Sequence, residues 1–314
     1  MPASRPGRAT AGLVGVLLAV GATGAVLDAR NTTAEAQRAE LAAARGELNR
    51  DLAALRATLS SPAHDAQQTA AALQVVAAEA VTGSERDADR VAEDAQRLTD
   101  DLARQADRLE DAADHPLPSR PAALPVESAD PLFARLQPLD DQTLTVAEHL
   151  RASANEVLAL TTAATALQEA AATYAAATDD LPEGDDPDVH ARAWRQERER
   201  LAAYREAVEE AADVEGLHQL AAAHGHLLDA LEELAADALA ALDDDDVDAY
   251  NDRVADGIGD DALETWREEL RSGAEQALEA APLRHLERSR ALTLGLIKEL
   301  DNVRRSSNGT LALG

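Results

Sequence analysis

Cysteine is absent from the 314 residues. This excludes disulfides, thiolate metal sites, cysteine nucleophiles and lipid attachment through an N-terminal cysteine, so the compartment must be read from other signals. Aromatic side chains are scarce, at 2% of the chain, and Phe133 is the single phenylalanine. A core with so few large rings has to be built in small steps from Ala, Leu and Val. Positive charge is also short: 29 Lys and Arg stand against 59 Asp and Glu, and Lys298 is the only lysine. The resulting net charge of −30 repels polyanions, so nucleic acid is not an expected partner. Ile, Phe, Tyr and Thr are sparse and no stretch alternates with period two, whereas Ala, Leu, Glu, Arg and Gln are plentiful. An all-α chain follows.

The acidity has two readings. Acid-rich chains of low hydrophobicity are often disordered, but here apolar residues recur at helical spacing along most of the length. The reading taken is a folded protein of a halophilic cell. In molar salt the Debye length falls to about 3 Å, and repulsion among surface carboxylates is largely screened.

One long apolar run is present. Arg5 and Arg8 precede an uncharged stretch over residues 10–27, which ends at Asp28. Its length sits at the short limit for a spanning helix and is long for the core of a cleaved signal. It predicts a membrane anchor or a signal helix, the anchor being favoured. Arginines before the run and an acidic chain after it place the N-terminus inside and the bulk of the chain outside the cell. Two glycosylation triplets fit that placement, Asn31-Thr32-Thr33 and Asn308-Gly309-Thr310, both on the expected outer side.

Five segments are expected: a signal or transmembrane anchor (1–28), a helical stalk (29–115), a Pro-rich linker (116–138), a helical bundle (139–305) and a polar tail (306–314). In the stalk, Leu41, Leu48, Leu52, Leu55 and Leu59 draw one stripe down a helix that should stop at Ser60-Ser61-Pro62. A second helix is expected over residues 63–81, and Ser84 is placed to cap a third whose seam runs Ala88, Val91, Ala95, Leu98, Leu102, Gln105, Leu109, Ala112. Pro116, Pro118, Pro121, Pro125, Pro131 and Pro138 are dense enough to predict no helix between them. Beyond them, Val146, Leu150, Ser153, Val157, Leu160, Ala164, Leu167, Ala171 and Tyr174 form a seam. Further seams run through Trp194, Leu201, Tyr204, Val208 and Ala211, through Leu217, Leu220, His224, Leu227, Leu231, Leu234 and Ala238, and through Leu263, Trp266, Leu270, Ala274 and Ala277. The last contains Leu286, Ser289, Thr293, Leu296, Leu300 and Val303. Such amphipathic helices joined by short turns predict an antiparallel multi-helix bundle. With its own complementary seams, the half after the linker should fold without the half before it.

No residue set in the sequence specifies catalysis, and no cofactor or metal is expected. Glu215-Gly216-Leu217-His218 matches one Glu-x-x-His element of the di-metal bundles, which need two. His224 and His226 point to different sides of a helix. Asp244, Asp246, Asp248 and Asp252 occupy calcium-loop positions, but Ala249 and Ala255 replace the required glycine and bidentate glutamate. Gly257-Ile258-Gly259 lacks the strand and lysine of a phosphate loop. The basic stretch Arg284, Arg288, Arg290, Lys298, Arg304, Arg305 is expected to pair with acidic neighbouring helices while Leu294, Leu296 and Ile297 enter the core; a docking face for an acidic partner is the other reading. The expected function is that of a non-enzymatic, membrane-anchored scaffold or interaction protein outside a halophilic cell, with a protein partner. A sensory or solute-binding bundle acting with a separate partner is the alternative.

Overall fold

The computed structural model describes residues 10–83, 87–124, 126–177, 186–244 and 246–312, with the side chains of 10–32, 126–129, 177 and 308–312 outside the description. Among the described residues the chain is helical apart from short connections and the segment 114–124, and it contains no strand: α1 (Thr10–Thr82), α2 (Ala88–Ala113), α3 (Val126–Leu136), α4 (Leu139–Ala177), α5 (Pro187–Ala212), α6 (His218–Asp243), α7 (Val247–Asp256), α8 (Asp260–Leu278) and α9 (Ala281–Ala312). These helices form a packed bundle.

Two compact units emerge. The first gathers the described parts of Met1–Ala57, Pro116–Pro138 and Leu300–Gly314. Ala44, Leu48 and Leu52 of α1, Leu124, Leu132 and Leu136, and Leu300, Val303 and Ser307 of α9 are its buried side chains among the described residues. The second contains Thr58–His115 and Leu139–Glu299. Here α2 packs on α4, α4 on α5, α5 on α6, and α6 on both α7 and α8. Residues of the expected stalk and of the expected bundle thus contribute to each unit.

The seams explain the packing. On α4, Val146, Leu150, Ser153, Val157, Leu160, Ala164 and Leu167 are all buried, and α4 packs along α2, where Val91, Ala95, Leu98, Leu102, Ala106 and Leu109 are buried as well. Burying one such leucine contributes about 1.5–3 kcal/mol, and the interleaved alanines let the helix backbones approach. Where helices cross most closely glycine is required. A Cβ on Gly273 of α8 would lie 2.8 Å from the backbone N and Cα of Leu220 on α6. Gly216 turns the chain from α5 into α6 with φ +99°, a conformation that side chains disfavour. The hydroxyls in the α4 seam satisfy themselves: Thr143, Thr161 and Thr165 each donate to the carbonyl four residues earlier. Ser153 Oγ meets Ser289 Oγ of α9 at 3.0 Å.

Several expectations need correction. The helix does not stop at Ser60-Ser61-Pro62; α1 runs through Pro62. Proline there loses one backbone hydrogen bond and costs about 3 kcal/mol, but Pro62 is buried and is flanked by Leu59, Ala63 and Ala66, all fully enclosed. Packing on both sides holds the two halves in line. The Pro-rich segment likewise contains a helix, because Pro125 precedes α3, Pro138 follows it, and only Pro131 lies inside. Leu132 and Leu136 anchor it by burial. Asp87, and not Ser84, caps α2, its carboxylate accepting from the Asp89 N–H at 3.2 Å; Ser84 lies outside the described residues. On α6, Leu217, Leu220, His224 and Ala238 of the expected seam are buried, but Leu227, Leu231 and Leu234 are only half-buried, and Leu228, Ala235 and Leu239 are buried in their place. Leu294 is exposed, although Leu296 and the rest of its seam are buried.

The expected anchor at 10–27 has its side chains outside the description. Among the described residues no helix is long and apolar enough to cross a membrane.

Candidate functional site

The densest grouping of buried polar and aromatic side chains lies where α4, α5 and α6 meet. On α5, Trp194, Glu197, Leu201, Tyr204, Val208 and Ala211 follow one another in steps of three and four and are all buried. Glu197 therefore occupies an inward seam position. It is 7% exposed and is the only Asp or Glu buried among the described residues. Burying a carboxylate requires a compensating partner. Arg200, one turn on, lies 3.5 Å from its Oε2, and the hydroxyl of Tyr174 on α4 is near enough to respond to its charge. Burial and the neighbouring Glu197 charge together raise the Tyr174 hydroxyl pKa far above its usual value, so it stays protonated as a donor.

Tyr174 stacks on Tyr204 with ring centroids 5.8 Å apart and 27° between planes. The Tyr204 hydroxyl in turn hydrogen-bonds Nδ1 of His224 on α6, and the two rings meet edge to face. Burial alone holds the Tyr204 hydroxyl pKa up and pushes His224 down to about 4. At neutral pH the imidazole is uncharged. Its other nitrogen, Nε2, is buried and has no protein partner among the described residues. A buried ring nitrogen left unpaired costs about 1–3 kcal/mol, so this pair is not optimised for stability.

Beside these rings, α4 and α5 enclose an open-sided cleft of about 340 Å³, lined by Ala166, Glu169, Ala170, Thr173 and Tyr174 on α4 and by Arg200, Ala203 and Tyr204 on α5. Alanine methyls and tyrosine rings make up most of its lining. Its polar groups are few and grouped, as in small-molecule sites. On the other flank of α4 a cleft of about 260 Å³ shares Glu169 and Thr173 and includes Glu79 of α1.

A second aromatic set brackets the far end of α5. Trp194 Nε1 donates to Tyr250 Oη of α7 at 3.2 Å, and Tyr250 Oη lies 3.0 Å from His190 Nδ1. This set pins α7 to α5 and lines no cleft among those described.

The residues singled out in the sequence are dispersed. Glu215 and His218 are exposed at the start of α6, and His226 meets Glu269 at the surface, 2.9 Å away. Asp246 caps α7 by accepting from the Ala249 N–H at 3.0 Å, with Asp248 in the first turn. Gly257 ends α7 with φ +50°. Among the described residues no three His, Asp or Glu are grouped to hold a metal ion. In the basic stretch, Arg290 reaches Gln74 Oε1 at 2.6 Å instead of a carboxylate, while Arg284, Arg288 and Lys298 are exposed. Nearby, His285 lies 2.7 Å from Glu156, and Asp301 of α9 pairs with Arg56 of α1 at 3.7 Å. Asn31 and Asn308 fall within the bounds of α1 and α9, outside the residues whose side chains are described.

Sequence reasoning placed Tyr174, Tyr204 and His224 in seams as core filler and missed Glu197. The signal for Glu197 was present: it stands three residues after Trp194 and four before Leu201, a seam position filled by a carboxylate. The chain matches no protein-family model, no curated protein and no solved structure.

Proposed function

We propose that the chain is a membrane-anchored scaffold or interaction protein of a halophilic cell envelope, with its antiparallel helical bundle held outside the cell and no catalytic role of its own. The observation that carries this reading is the distribution of charge along and across the chain. An uncharged run at 10–27 follows Arg5 and Arg8, and beyond it the described carboxylates, Glu197 apart, are left at or near the surface of a packed bundle. An acid-coated bundle is suited to molar salt, and the flanking charges orient the run with its N-terminus inside. The test is fractionation of cells expressing the full chain, with the mass of the recovered protein. Recovery with membranes, carrying glycan at Asn31 or Asn308, is the expected result. A soluble, unglycosylated cytoplasmic protein would remove the proposal.

A second reading, a solute-binding or sensory bundle acting with a separate partner, is favoured by one specific feature. The α4–α5 cleft is largely apolar in its lining, of small-molecule size, and carries a few charged groups beside the buried Glu197. Ligands commonly lodge between the helices of a bundle. The two readings are compatible, since an anchored bundle can display such a cleft to the medium.

A further inference from the structure

The geometry points to an organic ammonium ion with a compact apolar body as the ligand of the α4–α5 cleft, an inference that rests on the solute-binding reading above. Size comes first: about 340 Å³ is at the small end of ligand sites and suits a molecule of few heavy atoms. The Ala166, Ala170 and Ala203 methyls in its lining offer dispersion contacts but no hydrogen bonds, which favours an apolar body.

Charge decides the rest. The cleft and its immediate backing hold two carboxylates, Glu169 at the rim and Glu197 behind Tyr174, against one cation, Arg200. Arg200 is already matched by Glu197 at 3.5 Å. Glu169, exposed at the rim, leaves the local balance negative within a chain of net charge −30. An anion would meet repulsion there. A cation would meet the rings of Tyr174 and Tyr204, which both line the cleft and stack on each other, and aromatic rings attract ammonium groups at short range.

High salt does not remove this preference. Screening over about 3 Å weakens long-range attraction, but contact between a ring and a partly desolvated ammonium acts inside that distance. Inorganic cations hold their water strongly and compete poorly for a ring face. Alkylated ammonium ions shed water at lower cost.

The probes are choline and its neutral isostere 3,3-dimethylbutan-1-ol, titrated by calorimetry into the detergent-solubilised full chain at constant molar KCl. Choline should bind at least about tenfold more tightly than the neutral probe. Tyr174→Ala should weaken choline about tenfold, and Tyr174→Phe, which keeps the ring, should stay within about threefold of wild type. Glu169→Gln, a surface change that leaves packing intact, should weaken choline a few-fold without affecting the neutral probe. Equal binding of the two probes would overturn the ammonium preference while leaving the cleft a solute site. Choline binding that ignores both Tyr174→Ala and Glu169→Gln would place the ligand elsewhere and overturn the assignment. Binding of neither probe at millimolar concentration would overturn the inference and the solute-binding reading together.

Discussion

At the scale of single residues, the Tyr204–His224 pair shows how a chain poor in aromatics uses those it has. The hydroxyl and Nδ1 satisfy each other in the core, and Nε2 is left without a protein partner. Replacing one member orphans the other, so Tyr204→Phe and His224→Leu should each destabilise the fold, by about 1–3 kcal/mol for the lost partner. The double variant should cost less than the sum, as measured by a double-mutant cycle in chemical denaturation. The pair also predicts a pH response. His224 has a pKa near 4 when folded, against an ordinary value of 6.5. Between those values the unfolded chain takes up a proton that the folded chain refuses. The resulting stability is present above pH 6.5, falls as pH drops through this window and levels off below about 4. In the His224→Leu variant this part of the pH profile should vanish; an unchanged profile would show that His224 is not buried neutral.

Among the elements, glycines report how the helices meet. Gly273→Ala forces a methyl against the Leu220 backbone, so α6 and α8 must part, at a cost of about 1–3 kcal/mol. Gly295→Ala in α9 meets nothing within 4 Å and should stabilise by about 0.5–1 kcal/mol through helix propensity alone. Opposite shifts of the denaturation midpoint are the expected outcome. Most of this level was legible in the sequence. The seams of α4, α5 and α9 were readable because leucine, valine and small residues repeat at helical spacing, and there burial follows period. The pattern failed where tertiary packing overrode a local rule. Pro62 should end a helix but is enclosed by packing, and Pro131 lies inside a short helix anchored by Leu132 and Leu136. Alanine was the other limit. In α6, alanines occur all round the helix, so the face was fixed only as far as His224, and beyond it Leu228, Ala235 and Leu239 are buried where Leu227, Leu231 and Leu234 were expected. The cleft was hidden for a different reason: Tyr174, Glu197 and His224 are brought together by three helices, and no linear spacing encodes that meeting.

The whole molecule is governed by its charge and by how segments distant in sequence are combined. With 59 acidic residues and nearly all described carboxylates outside the core, stability should rise steeply between millimolar and molar salt as repulsion is screened. Helicity by circular dichroism that is independent of salt would contradict this. Because α2 packs along α4, the fragment 139–305 lacks a helix that covers part of the α4 surface. It should unfold at lower denaturant and with a shallower slope than the full chain, against the sequence-based expectation that it folds alone. Equal midpoints and slopes would show that α2 is dispensable.

The absence of cysteine makes the central claim, an anchored chain displayed outside the cell, directly measurable. Single reporters can be introduced by Ser4→Cys ahead of the apolar run and Ser272→Cys on the exposed face of α8, then treated in intact cells with a membrane-impermeant maleimide. The account predicts labelling of the Ser272→Cys protein in intact cells and of the Ser4→Cys protein only after lysis, both recovered with membranes. Protection of both until lysis, with the protein in the soluble fraction, would contradict it.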